Sequence, residues 1–147
     1  MRRLFTCFLL AGLPLLAQSS EEKDVLAVVQ KVFDGMAAHD GAMIRATLLP
    51  NARLYAAHDQ APPSDSAMDN FAAQIQTMAG KLLERFTGKP AVEMYGRMAI
   101  VTGDYDFFRD DKFGHCGVDS FSLLKTADGW KIAAITYTAQ TTGCKGH

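Results

Sequence analysis

The sequence has almost no net charge and no concentration of basic residues. Its 147 residues include 15 lysines and arginines against 16 aspartates and glutamates, which gives a formal net charge of −1. It also lacks a basic stripe, an RNA-type aromatic motif and a Cys/His finger, the features that accompany nucleic-acid binding. These absences exclude nucleic acid as an expected partner.

The sequence also lacks an apolar run long enough to cross a bilayer. Its longest apolar segment, residues 4–16, is shorter than the stretch of roughly 20 residues that a membrane helix needs. Small residues follow it, so residues 1–19 are predicted to be a secretory signal that is cleaved after Ala17 or Ser19. We therefore expect export to the periplasm or the medium, no membrane attachment after cleavage, and one domain over residues 20–147.

Cysteine is scarce. Cys7 lies in the predicted signal, which leaves Cys116 and Cys144 for the exported domain. An even pair in an oxidising compartment favours a disulfide. The alternative is two free thiols, because Cys144 must fold back through Thr142 and Gly143 to come within bonding range of Cys116. The sequence leaves both alternatives open.

Hydrophobic periodicity predicts helices in the first two thirds of the chain. Apolar residues recur at helical spacing over residues 20–36, 42–49 and 66–86. Residues 53–57 are a short strand candidate between the second and third helices. The apolar stripe of the third helix would cover one face of a sheet.

The last third of the chain alternates between apolar and polar residues in three runs. These runs are residues 95–108, 113–125 and 130–142, joined by the turn segments 109–112 and 126–129. The pattern predicts an antiparallel meander. Helices on one side of such a sheet make an α+β fold, and a strongly curved sheet leaves an interior where a ligand can bind.

Several segments of the meander carry a family resemblance. They are Tyr105-Asp106-Phe107-Phe108, Asp110-Asp111-Lys112-Phe113, His115-Cys116-Gly117-Val118-Asp119, Gly129-Trp130-Lys131-Ile132 and Thr142-Gly143-Cys144. Together with the three helices ahead of them, they resemble the SnoaL-like and lumazine-binding-like branch of the nuclear transport factor 2-like superfamily. The resemblance implies a cone-shaped curved antiparallel sheet covered by three N-terminal helices. It also implies a small-molecule pocket inside the cone and a homodimer formed through the convex face.

The turn register predicts which side chains share the pocket. With Asp110 and Asp111 as the two central turn residues and no inserted residue, Asp106 lies opposite His115. The predicted catalytic residues are His115, Asp106, Asp119 and Asp104. The predicted ligand-binding residues are Tyr55, Ile100, Thr102, Phe121, Ala134, Thr136 and Gln140. The opposite face would carry the apolar set Val101, Tyr105, Phe107, Cys116, Val118, Ile135 and Tyr137. One inserted residue in a strand would exchange the two faces.

Three functions fit this arrangement, and the resemblance does not choose among them because the same cone serves many reactions. The favoured interpretation is a protein that binds a small, partly apolar molecule. A second is a cofactor-free isomerase, dehydratase or cyclase in which Asp106 orients His115 for proton transfer. A third is a non-enzymatic interaction module. We expect no cofactor, and no metal site, because His115 and Cys116 point to opposite faces of a strand.

Overall fold

The computed structural model describes residues 14–146. Within these residues, three helices and seven strands follow one another: α1 Pro14–Ala37, α2 Gly41–Arg45, β1 Leu48–His58, β2 Ser64–Ala67, α3 Met68–Thr77, β3 Leu82–Phe86, β4 Ala91–Tyr95, β5 Met98–Arg109, β6 Lys112–Thr126 and β7 Gly129–Ala139. The predicted signal, residues 1–19, falls mostly outside the described residues. Its export role stays a prediction.

All seven strands belong to one sheet. Their order is β2-β1-β7-β6-β5-β3, and β4 pairs with the part of β5 that β3 leaves free. Every neighbouring pair is antiparallel except β1 and β7, which run parallel. The sheet is curved and unclosed, with the helices on its concave side, so the predicted α+β fold is confirmed.

The core lies between the helices and the concave face of the sheet. Helix α1 buries valines one turn apart together with Phe33, whose ring meets the edges of Phe86 and Phe121 at centroid distances of 5.2 and 5.9 Å. Helix α3 adds Met68 and Ile75, both almost fully buried. These contacts hold the helices against the concave face of the sheet.

The third helix is shorter than its apolar stripe predicted. It ends at Thr77, and residues 82–86 form strand β3 instead of continuing the helix. Met78 is extended, with a ψ of 131°, which ends the helix. Gly80 then adopts a φ of +88° in the connection, and Leu82 to Phe86 pair with β5. Spacing alone could not separate the two alternatives, because Leu82 and Phe86 suit a helix stripe as well as a half-buried strand. The second predicted helix is also shorter, since β1 begins at Leu48.

Both hairpin turns of the meander form as predicted, but each ladder contains a bulge. Arg109 pairs with Lys112 and Lys125 pairs with Trp130, as the turn signals indicated. Gly114 is then an extra residue in β6, and Ala133 is an extra residue in β7. A glycine inside a strand is a signal for a bulge, and the uninterrupted register did not take it into account.

Over residues 14–146, no helix is both long and apolar enough to cross a membrane. In the same part of the chain, no group of three or more His, Cys, Asp and Glu side chains could hold a metal ion.

Candidate functional site

A cavity of about 380 Å³ lies between the concave face of the sheet and the helices. We call it the concave cavity. Its apolar lining comes from Val32, Met36, Leu54, Ala56, Phe71, Ile75, Met78, Phe107, Phe121 and Ile135. Its polar lining comes from Ser64, Ser66, Gln74, Glu84, Arg109, His115, Asp119 and Tyr137. Such a lining, mostly apolar with a few polar groups, is typical of small-molecule sites.

The two bulges decide which acids face this cavity. After Gly114, His115 pairs with Phe107, and Asp106 pairs with Cys116. The predicted pairing of Asp106 with His115 is therefore wrong, because the extra residue shifts the register by one and a shift of one reverses the faces. Asp119 likewise pairs with Tyr137, not with Thr136, because of the extra residue in β7.

The structure divides the predicted site residues between the two faces of the sheet. His115, Asp119 and Phe121 line the concave cavity. Asp104, Asp106 and Gln140 lie on the convex face around a smaller cleft of about 130 Å³, which we call the convex cleft. The remaining predicted ligand-binding residues line neither the concave cavity nor the convex cleft. Their strand pairing places them on the convex face, and they are Tyr55, Ile100, Thr102, Ala134 and Thr136.

The apolar set assigned to the opposite face is divided in the same way. Only Cys116 and Val118 lie on the convex face, where they pair with Asp106 and Asp104. The other members follow the register of Asp119 and Phe121 on the concave face, and they are Val101, Tyr105, Phe107, Ile135 and Tyr137. The convex face is therefore more polar around the cleft than predicted. It also exposes apolar side chains: Tyr55, Val118 and a neighbouring group of Tyr95, Met98 and Leu124, in which Met98 pairs with both of the others.

Asp119 is the most unusual group in the concave cavity. Its side chain lies in the middle of β6 between Gly103 of β5 and Tyr137 of β7, and the residue is only 3% exposed. Its Oδ2 atom is buried and has no hydrogen-bond partner among the described residues. Leaving a buried polar atom unpaired costs about 1–3 kcal/mol, and more when the atom carries charge. Burial accordingly raises the pKa of Asp119 from 3.8 to about 7.

Glu84 supplies a second acid to the same cavity. It lies on β3, opposite Phe107, and is half-buried. Burial, followed by the negative charge of Asp119, raises the pKa of Glu84 well above its usual range. The two carboxyl groups therefore oppose each other's ionisation. Sequence periodicity places Glu84 in a helix, and so it does not identify Glu84 as a site residue.

His115 lines the same cavity, where it packs against aromatic rings. Its imidazole stacks on Phe107 with 4.8 Å between ring centroids and meets Tyr105 edge-on at 5.7 Å. Burial, and then the charge of His58, lowers the pKa of His115. The ring is therefore neutral at neutral pH and can accept a proton or donate a hydrogen bond from one nitrogen at a time.

Tyr105 packs beside the acids but is already engaged. Its hydroxyl donates to the carbonyl oxygen of Thr138 at 2.9 Å, and its ring lies against Gly117. A Cβ atom at position 117 would come within 1.9 Å of the Thr138 oxygen, so only glycine leaves room for this contact. Burial is the main cause that raises the pKa of Tyr105.

The convex cleft is held by a disulfide. Cys116 and Cys144 are bonded, with their Cα atoms 5.8 Å apart, which decides between the two alternatives that the sequence left open. Gly143, with a φ of +75°, turns the chain back towards β6. Nearby, the ammonium of Lys145 lies 3.4 Å from Asp104 in an exposed ion pair. The cleft is smaller than most ligand sites.

A third hollow, of about 460 Å³, lies along β1 near the start of α3. Its charged side chains, Arg45 and Asp69, already form an ion pair at 2.6 Å. The concave cavity is therefore the better candidate, since it holds a buried carboxylate oxygen that still needs a donor.

Comparisons with solved structures agree on the fold. A nuclear transport factor 2-like superfamily protein from Salmonella enterica matches with a TM-score of 0.69 at 15% identity, over 88% of this chain and 98% of that one. A protein from Streptomyces avermitilis described as a "putative dehydratase from the NTF2-like family" matches with a TM-score of 0.71 at 15% identity, over 85% and 99% of the two chains.

A third similar structure comes from Novosphingobium aromaticivorans and is described as NTF2-like with a cystatin-like fold. It matches with a TM-score of 0.69 at 15% identity, over 92% of this chain and 94% of that one. At these identities the likeness concerns the fold alone. A comparison with curated proteins found no match.

A family model gives the assignment within the fold. The model described as "Putative lumazine-binding" matches residues 20–138, which is most of the chain. The resemblance inferred from the meander segments is confirmed: the chain belongs to this lumazine-binding-like family and has the nuclear transport factor 2-like fold.

Proposed function

We propose that the protein binds a small, partly apolar molecule in the concave cavity, with Asp119 as the polar anchor. The observation that carries this proposal is the buried and unpartnered Oδ2 atom of Asp119 in an otherwise largely apolar hollow. A ligand with a hydrogen-bond donor would satisfy this atom, while its apolar part would cover the rings of Phe107 and Phe121.

The test is to identify what the cavity holds. The protein is purified gently, examined by native mass spectrometry, and any retained molecule is released and identified. We expect a small molecule with an apolar body and at least one N–H or O–H donor, retained by the wild type and lost from Asp119→Ala. Lumazine, the compound named in the family's description, is titrated directly as an uncharged N–H donor.

Asp128→Ala is the matched control, because Asp128 is exposed in the turn between β6 and β7. This variant should retain the ligand as the wild type does. The proposal fails if the wild type retains nothing and binds no member of a metabolite panel at millimolar concentration. It also fails if a retained molecule is held equally well by Asp119→Ala.

The second candidate function is cofactor-free proton transfer at the same site. A carboxyl with a pKa of about 7 can both give and take a proton near neutral pH, and the neutral imidazole of His115 lies in the same cavity. In this candidate Asp119 is the acid/base group. His115 lies on the same face of β6 but four residues away, roughly 13 Å at about 3.3 Å per residue, so the two groups would act on different atoms of the ligand. Once the ligand is identified, Asp119→Asn should abolish its conversion while leaving the fold intact. Unchanged turnover in that variant would exclude the candidate.

We further propose that the protein is exported and acts as a homodimer. The predicted signal and the disulfide support export, since disulfides persist mainly in oxidising compartments. The intact mass of the exported protein should correspond to a chain that begins at Gln18 or Ser20. Light scattering should give twice the mass of one chain. A full-length chain retained in the cytoplasm, or a monomeric mass, would contradict the respective proposal.

A further inference from the structure

We infer that the ligand of the concave cavity is an organic cation, a protonated amine attached to an apolar or aromatic body, whose ammonium group is bound by Asp119 and Glu84. This inference rests on the proposed function and specifies the chemical class of its ligand. It follows from the charges that face the cavity, from the unpartnered oxygen of Asp119, and from the rings that form the walls.

The charged groups of the cavity are not balanced. Five titratable side chains line it: Glu84 on β3, Arg109 on β5, His115 and Asp119 on β6, and Tyr137 on β7. The guanidinium of Arg109 is exposed and donates to the carbonyl oxygen of Ala79 at 2.8 Å. His115 is neutral because burial lowers its pKa. Two acids therefore face one guanidinium, and no ion pair joins either acid to a described basic side chain.

Two more titratable groups lie close by and do not change this balance. The hydroxyl of Tyr105 on β5 donates its hydrogen bond to the carbonyl oxygen of Thr138. His58 on β1 is exposed and meets the edge of the Tyr137 ring at a centroid distance of 5.9 Å. Neither supplies the missing donor to Asp119.

An ammonium group would satisfy the site better than a neutral donor. It carries up to three N–H donors and can therefore serve the buried Oδ2 atom of Asp119 and the carboxylate of Glu84 at once. Its positive charge would also relieve the repulsion between the two carboxylates, which a neutral donor leaves in place. Charge-assisted hydrogen bonds of this kind are roughly twice as strong as neutral ones.

The walls of the cavity suit the rest of such a ligand. Phe71, Phe107, Phe121 and Tyr137 contribute aromatic surface to the lining. A cation close to the face of an aromatic ring gains about 0.5–2 kcal/mol, and more where water is excluded. A volume of about 380 Å³ has room for an ammonium group joined to a one- or two-ring body.

Matched probes separate charge from shape. Binding is measured by isothermal titration calorimetry at pH 8 with two sets of three compounds: phenethylammonium, phenethyl alcohol and hydrocinnamate, and tryptamine, tryptophol and indolepropionate. Within each set the body is the same and only the charge of the polar group differs. We expect the cation to bind at least about tenfold more tightly than the neutral and anionic members.

The variants test whether the preference comes from the two acids. In Asp119→Asn and in Glu84→Gln, the preference for the cation should fall to about threefold or less, because one negative charge is removed. Asp128→Asn removes the same charge from an exposed turn and should keep the preference of the wild type. Circular dichroism and thermal unfolding confirm that each variant is folded before its affinity is compared.

The results distinguish this inference from the proposed function. If a neutral or anionic member binds as tightly as the cation, the cation inference is overturned while small-molecule binding stands. Tightest binding by the anion would mean that Asp119 and Glu84 are protonated and donate hydrogen bonds to the ligand. If no member of either set binds, the cation inference is also overturned, and the proposed function is then judged by the retained ligand alone.

Discussion

The two faces of the central strands carry similar acids in opposite environments. Asp119 points into the concave cavity, is 3% exposed and has an oxygen without a partner. Asp104 lies one residue from the position paired with Asp119, but on the convex face, where Lys145 and water reach it. The same side-chain chemistry is therefore costly at Asp119 and ordinary at Asp104. Chemical function in this sheet depends on which face a bulge assigns to a residue.

The largest expected effect concerns the pH dependence of stability. The pKa of Asp119 is raised from 3.8 to about 7 by folding. The unfolded chain therefore loses this proton near pH 4, whereas the folded protein keeps it until about pH 7, so stability falls as the pH rises through that window. The fall is on the order of 4 kcal/mol, at about 1.36 kcal/mol for each pH unit between the two values.

Chemical denaturation of the wild type and Asp119→Asn at pH 4 and pH 8 measures this effect. The variant should gain stability relative to the wild type by up to about 4 kcal/mol between the two pH values. Asp104→Asn is the control from the convex face, and it should change the free energy of unfolding by less than about 0.5 kcal/mol at either pH, because its ion pair is exposed. A pH-independent difference between wild type and Asp119→Asn would contradict the burial of an ionisable group.

The disulfide should matter for the stability of the convex face and not for the concave cavity. Replacing Cys116 and Cys144 by serine opens a loop with a sequence separation of 28 residues, which should lower the free energy of unfolding by about 3 kcal/mol. The affinity for a retained ligand or a probe amine should stay unchanged. Denaturation and calorimetry of the double variant measure both quantities. A large loss of affinity at unchanged stability would show that the two faces are coupled.

A smaller effect is expected from the contact that crosses between the strands at Gly117. In Gly117→Ala the added Cβ atom would lie 1.9 Å from the carbonyl oxygen of Thr138 and 2.9 Å from the Tyr105 ring. The backbone must shift, which should lower the free energy of unfolding by about 2 kcal/mol. Gly88→Ala has no atom within 4 Å of its new Cβ atom and should be nearly neutral by the same measurement. Equal stabilities of the two variants would contradict the close packing at Gly117.

Much of the fold could be predicted from the sequence because its elements have strong local signals. The long strands alternate regularly, and both hairpin turns are marked by polar residues, including Asp110 and Asp111, which adopt positive φ values of 53° and 61°. Contacts stabilise this unusual turn, since the Asp110 carboxylate accepts from the backbone N–H of Lys81 at 2.8 Å. The helix α1 and the family resemblance were predictable for the same reason.

The candidate site was harder to predict because it depends on tertiary structure. Gly114 and Ala133 each add one residue to a strand, and a single extra residue exchanges the faces of everything beyond it. His115 and Asp119 therefore lie in the cavity, whereas Asp104 and Asp106 lie outside it. Glu84 could not be found at all while its segment was predicted to be helical. Its strand exists only because β5 offers a pairing edge.

The most direct test of the account is a carbon-detected NMR titration of the Asp119 side-chain carboxyl, assigned by comparison with Asp119→Asn. The account predicts a midpoint near pH 7 in the free protein, caused by burial without a partner. Saturation with a ligand cation should lower this midpoint, because a bound positive charge favours the carboxylate. A midpoint close to about 4, the value of an ordinary aspartate, would contradict the claim that Asp119 is a buried, unpaired acid in a ligand cavity.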